Sequence, residues 1–300
     1  MRKYFPLVLV FLLVFMISFE GTAMDLSITE QLSYSTVRIE VDYPDKTTGS
    51  GTGFFFRLLD KGDSHIPVIV TNKHVVKNTI KGRFVLTLQN DDGAPIDSVH
   101  KIIEFDNFES RWIPHPDSTI DLCIMPIAPL LTEAKKLDIN FFYISLDKSL
   151  IPSDQEMLEY NYVEDVLMVG YPIGISDQYN NLPVFRRGIT ATHPANDYEN
   201  RKEFMIDAAC FPGSSGSPVI LYNAPYYMDK KGNTIFKKRI RLLGILYAGP
   251  LYTAEGSILI KNIPTKNVPV VISQIPANLG LVIKSSKILD FEQILSLIHI

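Results

Sequence analysis

The chain has 300 residues, of which 46% are hydrophobic and 21% charged, and its formal net charge is −4. This composition is typical of a globular protein and excludes an intrinsically disordered chain. The small net charge gives no indication of binding to nucleic acid or to an anionic membrane surface. Basic residues cluster at 230–231 and 237–241, and we interpret both clusters as the solvated side of a hairpin.

The N-terminus has the pattern of an export signal. Basic residues precede an apolar run over 5–19, and small residues follow up to Ala23. The run is shorter than the ~20 residues that a membrane-spanning helix needs. We therefore expect a signal peptide over residues 1–23, a secreted or periplasmic location for residues 24–300, and no stable membrane insertion after the signal is removed.

The rest of the chain consists of short segments rich in β-branched and aromatic residues, separated by turn residues, which predicts an all-β fold. Strands are predicted at 35–41, 53–58, 68–71, 84–89, 121–126, 166–169, 188–192, 217–221 and 242–247. Residues 151–159 are predicted to cross between two halves. Near the end, Ser285 and Ser286 precede apolar residues at helical spacing over 287–295, which predicts a docked C-terminal helix.

Three residues along the chain have the chemistry of a base, an acid and a nucleophile. They are His74 in the segment 70–76, Asp121 before the apolar run 122–125, and Ser215. A serine hydroxyl is a poor nucleophile at neutral pH unless a base removes its proton, and that base needs an acid that fixes its tautomer. The three residues are far apart in sequence, so they predict a triad that only a large folded scaffold can assemble.

Asp117 is an alternative to Asp121 as the acid. Asp117 lies in the polar loop 115–119, whereas an apolar strand follows Asp121 at once. We therefore assign the acid to Asp121, and we expect its side chain to be buried and to accept a hydrogen bond from His74.

Ser214 and Ser217 are alternatives to Ser215 as the nucleophile. Gly213 and Gly216 enclose the Ser214-Ser215 pair, and glycine permits the tight turn and close backbone approach that a nucleophile needs. The same turn directs the N–H groups of Gly213 and Ser215 toward a developing oxyanion, where each donor is worth on the order of 3 kcal/mol. We assign Ser215 as the nucleophile, with Gly213 and Ser215 as the oxyanion hole.

These motifs resemble those of trypsin-fold serine peptidases, in particular the Deg/HtrA proteases and the bacterial glutamyl endopeptidases. The resemblance rests on the segments 51–54, 71–76, 121–122, 169–174, 207–209, 212–218 and 244–246. It implies two packed antiparallel six-stranded β-barrels, the first at about 30–150 and the second at about 155–285, with the C-terminal helix at about 286–297. His and Asp of the triad would come from the first barrel and Ser from the second.

The resemblance also implies a set of substrate-binding residues. They are Ala208, Ala209, Cys210, Leu246, Tyr247 and Ala248. The first three carry no charge, which predicts a small or medium apolar side chain at the cleaved residue. The last three resemble the edge strand on which a peptide substrate is laid, although a core strand fits their pattern as well.

The chain departs from these relatives at several positions. Digestive proteases have an acidic residue before the nucleophile that pairs with a freshly cut N-terminus, and here Ser214 occupies that position. Glutamyl endopeptidases have a pocket histidine that aligns with Leu246, so a preference for glutamate is not supported. Residues 250–278 are an insertion that is a candidate for covering the cleft. Too few residues follow the last predicted strands for the PDZ domain of Deg proteases, so none is expected.

Cys123 and Cys210 are the two cysteines of the chain. The resemblance assigns one to each barrel, and a disulfide would need their α-carbons within about 7 Å of each other. We therefore expect two buried free thiols that behave as small apolar side chains.

Together these features predict an exported serine endopeptidase that acts on protein or peptide substrates through an acyl-enzyme, without a metal or other cofactor. Two alternatives remain open: a catalytically inactive binding or chaperone-like protein on the same scaffold, and an esterase. The sequence leaves the oligomeric state undetermined.

Overall fold

The computed structural model describes residues 26–62, 64–249, 251–255, 272–276 and 278–298. The expected signal peptide lies outside the described residues, and so does most of the insertion 250–278. No helix among the described residues is both long enough and apolar enough to cross a membrane.

Strands make up most of the described chain. They are β1 (Thr36–Asp42), β2 (Thr48–Leu58), β3 (Ile66–Thr71), β4 (Lys81–Gln89), β5 (Pro95–Asp106), β6 (Ile113–Pro114), β7 (Cys123–Pro126), β8 (Asp165–Gly170), β9 (Val184–Thr190), β10 (Glu203–Asp207), β11 (Pro218–Asn223), β12 (Tyr227–Met228), β13 (Thr234–Ile235), β14 (Arg239–Ala248), β15 (Leu251–Glu255), β16 (Ile272–Pro276) and β17 (Leu279–Lys284). The helices are α1 (Ile28–Ser33), α2 (Lys73–Val76), α3 (Ala128–Lys136), α4 (Asp154–Leu158) and α5 (Phe291–Ile298).

The first half is a seven-stranded antiparallel sheet in the order β5-β4-β1-β2-β3-β7-β6. A closed six-stranded barrel was predicted here, but within the described residues the end strands β5 and β6 do not pair with each other. The reason is that β6 has only two residues, and β5 is largely exposed and pairs with β4 alone. The inner strands are buried because their β-branched and aromatic side chains pack on both faces.

The second half is a closed six-stranded barrel in the order β10-β17-β14-β11-β8-β9. It confirms the second barrel of the predicted all-β fold. The segment 151–159, which was predicted to be the crossover, contains α4 and lies between β7 of the first sheet and β8 of the barrel.

One apolar cluster joins the two halves and the C-terminal helix. It contains Phe54 and Phe56 of β2, Leu242 of β14, and Phe291 and Leu295 of α5, all almost fully buried. The C-terminal helix is thus confirmed, although a 3-10 turn precedes it and the α-helix starts at Phe291 rather than at residue 287. Because the cluster spans the interface, the two sheets are held against each other at the cleft between them.

Candidate active site

His74 follows the end of strand β3 and lies at the cleft between the two halves. β3 pairs with β7 so that Thr71 lies opposite Cys123. His74 follows Thr71 by one short turn, and Asp121 precedes Cys123 by two residues, so the antiparallel register brings both to the same edge. Asn72, which is fully buried, fixes this turn by donating its side-chain N–H to the Asp121 carbonyl at 2.9 Å.

Asp121 contacts His74 at two points. Its Oδ2 lies 2.5 Å from the ring Nδ1 of His74, and its Oδ1 accepts the backbone N–H of His74 at 3.1 Å. The two contacts orient both the ring and the helix turn that carries it. The sequence led us to expect a buried acid, but the Asp121 side chain keeps 25% exposure. It does so because the pair borders an open cavity of about 430 Å³, which Trp112 and Lys73 also line.

Asp117, the alternative acid, faces its own loop. Its Oδ1 accepts the backbone N–H of Thr119 at 2.9 Å and the Thr119 hydroxyl at 2.7 Å. These hydrogen bonds to Thr119 lower the pKa of the Asp117 carboxyl. The Asp117 carboxylate makes no hydrogen bond to His74.

The loop between β10 and β11 carries Ser215 and is tied to the first sheet. The backbone N–H of Thr52 in β2 donates to the Ser215 carbonyl at 2.9 Å. Gly213 and Gly216 have φ values of 84° and 88°. A Cβ on Gly216 would lie 1.8 Å from the Thr52 carbonyl oxygen, so the loop approaches β2 this closely only with glycine at that position.

The N–H groups of Gly213 and Ser215, the two donors expected to form an oxyanion hole, belong to the Pro212–Gly213 and Ser214–Ser215 peptides. The Pro212 carbonyl accepts the Ile173 N–H at 2.6 Å, and the Ser214 carbonyl accepts the Ser217 N–H at 3.0 Å. In a trans peptide the N–H points away from the C=O, so the N–H groups of Gly213 and Ser215 are turned away from these internal bonds. Within the described part of the chain, neither of the two N–H groups donates to another residue.

The Ser215 hydroxyl points toward the end of β14. Its single hydrogen bond to a described residue goes to the Tyr247 carbonyl at 3.5 Å. The structure has no hydrogen bond between Ser215 Oγ and His74. Catalytic hydrogen bonds are commonly long before substrate binds and shorten in the complex.

The residues that were expected to bind substrate fall into two groups. Ala208 and Cys210 are buried and Ala209 is half-buried, at the start of the loop that carries Ser215. Leu246 behaves as a core residue: it is 3% exposed, its N–H donates to Ser217 O at 3.0 Å, and its carbonyl accepts the Gly216 N–H at 2.8 Å.

Tyr247 and Ala248 lie beyond the last β11 pair, which joins Pro218 to Ile245. They are half-buried, and the Tyr247 hydroxyl donates to Glu203 at 2.9 Å. Burial and the bond to Glu203 raise the pKa of Tyr247, so the hydroxyl remains a donor. Tyr247 and Ala248 are therefore the residues of the expected edge strand that do not pair with β11.

Both cysteines are free and buried, as the sequence predicted. Cys123 packs in the first sheet and Cys210 in the barrel. Burial raises the pKa of the Cys123 thiol strongly and that of the Cys210 thiol to about 11. A thiol that is not ionised is a weak nucleophile, so neither cysteine is suited to act as a nucleophile.

Arg186 was not predicted as a site residue, but its guanidinium reaches the loop that carries Ser215. The sequence contains a pattern that could have identified Arg186. Arg186 and Arg187 are adjacent in β9, and successive strand residues point to opposite faces, so one of the two must face into the barrel.

The family of the chain follows from a match to the trypsin-like peptidase domain over residues 51–223, more than half of its length. The chain belongs to this family, which confirms the resemblance found in its motifs. Fold and family together support a serine protease. No curated protein matches the chain significantly.

Two solved structures that resemble the chain are proteases. The Rv3671c protease of M. tuberculosis in its active form is 15% identical, with a TM-score of 0.42, and the match covers 86% of this chain and 78% of that chain. A serine endoprotease from Yersinia pestis is 14% identical, with a TM-score of 0.45, and the match covers 89% of this chain and 64% of that chain.

Proposed function

We propose that the chain is an exported serine endopeptidase that hydrolyses peptide bonds through Ser215, His74 and Asp121. The observation that carries this proposal is the two-point contact of Asp121 with His74 beside a loop that presents Ser215 between two glycines. The Thr52–Ser215 bond supports it further, because it ties the nucleophile loop to the sheet that carries the base and the acid.

In this mechanism the His74 Nε2 takes the proton of the Ser215 hydroxyl while Oγ forms a bond to the carbonyl carbon of the substrate. Asp121 Oδ2 accepts the Nδ1–H of His74 and stabilises the imidazolium. The imidazolium then gives its proton to the leaving amine as the C–N bond breaks, which leaves an acyl-enzyme. A water molecule activated by His74 hydrolyses this ester and restores the Ser215 hydroxyl.

The N–H groups of Gly213 and Ser215 would receive the negative charge that develops on the carbonyl oxygen. Both are free of internal hydrogen bonds within the described residues. Donors of this kind act mainly in the transition state, and each is worth on the order of 3 kcal/mol.

For the substrate we propose an extended peptide laid along Tyr247 and Ala248, with the side chain of the cleaved residue against Ala208, Ala209 and Cys210. The Cys210 thiol is neutral because burial raises its pKa to about 11, so none of these three side chains carries a charge. A small or medium apolar side chain fits best. A peptide library checks this, and a strong preference for basic or acidic residues at the cleaved position would contradict it.

Residues 24–300 form the exported peptidase unit in this proposal, with two β halves at about 30–150 and 155–285. N-terminal sequencing of the protein recovered from the periplasm or medium tests the processing. A first residue at Met24 is expected, and a retained N-terminus would contradict it.

Labelling with a fluorophosphonate probe tests the catalytic proposal. The wild-type chain is expected to be labelled and to cleave peptides, and Ser215→Ala is expected to lose both activities. Ser296→Ala, on the exposed side of α5, is the control and keeps both. A Ser215→Ala variant that still takes the label would contradict the assignment.

One observation favours a second candidate, a catalytically inactive binding protein. The Ser215 hydroxyl bonds to the Tyr247 carbonyl and not to His74. The same labelling experiment separates the two candidates, because an inactive scaffold does not react with the probe. Ester and peptide substrates compared side by side then separate an esterase from a peptidase.

A further inference from the structure

Arg186, which is half-buried, contacts the loop between β10 and β11 that carries Ser215, which we call the nucleophile loop. Arg186 of β9 donates from one terminal nitrogen to the Ala209 carbonyl at 2.6 Å and to the Ser214 hydroxyl at 2.7 Å. The Ser214 hydroxyl also accepts the Phe211 N–H at 3.3 Å, and Ser214 is fully buried. One guanidinium therefore bonds to two points of the nucleophile loop, one near its start and one next to Ser215.

The charge of Arg186 has no acidic partner among the described residues. Within the described ranges of the chain, its other two nitrogens, Nε and the second terminal nitrogen, are buried without hydrogen bonds. The adjacent Arg187 is exposed and pairs with Asp165 at 3.0 Å, as is usual for a surface arginine. A buried cation without a counter-ion destabilises a fold, and such local conflicts are expected mainly at functional sites.

The position of Ser214 explains how this contact reaches the reacting atoms. Ser214 contributes its carbonyl to the Ser214–Ser215 peptide, which carries the Ser215 N–H. The Gly213 N–H belongs to the Pro212–Gly213 peptide, which lies between the two atoms that Arg186 holds, the Ala209 carbonyl and the Ser214 hydroxyl. Fixing both atoms restricts rotation of these two peptides. The two N–H groups assigned to the oxyanion hole, on Gly213 and Ser215, flank this anchored residue.

We propose that Arg186 is a positioning residue that keeps the nucleophile loop in the conformation that presents the oxyanion-hole donors. In digestive proteases, an ion pair between an acidic residue and a freed N-terminal amine orders this loop. In this chain the Arg186 side chain, from within the barrel, takes that role, and the loop is ordered without a cut at the N-terminus. This inference rests on the proposed peptidase function.

The competing role for Arg186 is recognition of an acidic substrate side chain. Both observed bonds of Arg186 go to atoms of the loop itself, and Ser214 is fully buried, which favours the positioning role. The two roles predict different kinetics. A positioning residue changes kcat for every substrate, whereas a recognition residue changes KM for acidic substrates alone.

The test compares Arg186→Met and Arg186→Lys in the full chain, with Arg187→Met as the matched control on the same strand. Active-site titration corrects for any misfolded fraction. Arg186→Met is expected to lower kcat about 10- to 100-fold with KM within about twofold, because a misplaced oxyanion donor acts on the transition state. Arg186→Lys retains the charge and one donor and is expected to recover part of the loss. Arg187→Met is expected to match the wild type.

Inhibitor binding provides a second readout that a loss of stability would not change. A peptide aldehyde forms a tetrahedral adduct with the serine, so its affinity is expected to fall by the same factor as kcat/KM, while the affinity of a product peptide stays constant. Ser214→Ala, which keeps Arg186, is expected to show a smaller loss in the same direction. The double variant is expected to be less than additive. If Arg186→Met does not fold, Arg186→Lys and Ser214→Ala carry the test.

An unchanged kcat in folded Arg186→Met would overturn the inference, as would a loss confined to acidic substrates. Either result leaves the proposed function intact as long as the wild type is labelled and active. A wild type that neither reacts with the probe nor cleaves peptides removes the proposed function and, with it, this inference.

Discussion

At the residue scale, the contact between Asp121 and His74 fixes the tautomer of the His74 imidazole, and the proposed reaction depends on that tautomer. Asp121→Asn would replace the acceptor at the Nδ1 of His74 with an amide that can donate, which favours the wrong tautomer. We expect kcat to fall about 10³- to 10⁴-fold with little change in stability. Steady-state kinetics and thermal unfolding measure the two effects.

Asp117→Asn is the matched control for this prediction. The Asp117 carboxylate bonds to Thr119 in its own loop, so its replacement is expected to leave kcat within about twofold. If Asp117→Asn lowers kcat as far as Asp121→Asn, the acid has been assigned to the wrong residue.

The glycine at position 216 gives a second prediction at this scale. Gly216→Ala puts a side chain at a φ of 88° and brings its Cβ within 1.8 Å of the Thr52 carbonyl oxygen. Gly232→Ala shares the positive φ, at 82°, but has open space around it. We expect Gly232→Ala to destabilise the fold by about 1 kcal/mol and Gly216→Ala by about 3 kcal/mol or more. Urea unfolding measures both, and equal losses would show that the contact with Thr52 relaxes.

The residues of the site differ in how far the sequence could predict them. His74, Asp121 and Ser215 stood out because each lies in a motif whose residue types have a known chemical use. Arg186 did not, because the predicted strand began at 188 and the real β9 begins at Val184. With the strand placed too late, the alternation that turns Arg186 inward could not be applied to it.

At the element scale, most buried strands were predicted, although β10 and β17, which are also largely buried, were missed. The predicted strand 166–169 lies within β8, and 242–247 lies within β14, because both have continuous apolar residues. β5 was not predicted. Its residues 98–102 are exposed, so it lacks the apolar alternation that marks a half-buried strand, and its place is set by pairing with β4.

The docking of α5 gives a prediction at this scale. Phe291 is fully buried in the cluster that joins both halves, whereas Leu297 of the same helix is 80% exposed. Phe291→Ala is expected to lower the free energy of unfolding by about 3–5 kcal/mol, and Leu297→Ala by less than about 0.5 kcal/mol. Urea unfolding distinguishes them. A small effect of Phe291→Ala would mean that the helix contributes little to the packing of the two halves.

At the scale of the whole molecule, His115 links the loop before Asp121 to the C-terminal elements. Its Nδ1 accepts the Asp117 N–H at 3.0 Å, and its Nε2 lies 3.2 Å from both the Lys287 carbonyl and Asp290 Oδ2. The ring is buried against Phe291. Burial lowers the pKa of His115 below its usual 6.5, with smaller opposing effects from Asp117 and Asp290 and a further lowering by Lys287.

This lowered pKa predicts how the stability of the molecule depends on pH. Below pH 6.5 an unfolded His115 binds a proton that the folded ring resists, so the unfolded state binds more protons and the free energy of unfolding rises with pH. The stabilisation is present above pH 6.5 and is lost as the pH falls toward the pKa of His115 in the folded protein.

His115→Gln cannot titrate, so its unfolding free energy is expected to fall less than that of the wild type between pH 7.5 and 5. His100→Gln, at an exposed position, is expected to follow the wild type. Parallel curves for the wild type and His115→Gln would show that the folded protein protonates His115 as readily as the unfolded chain does.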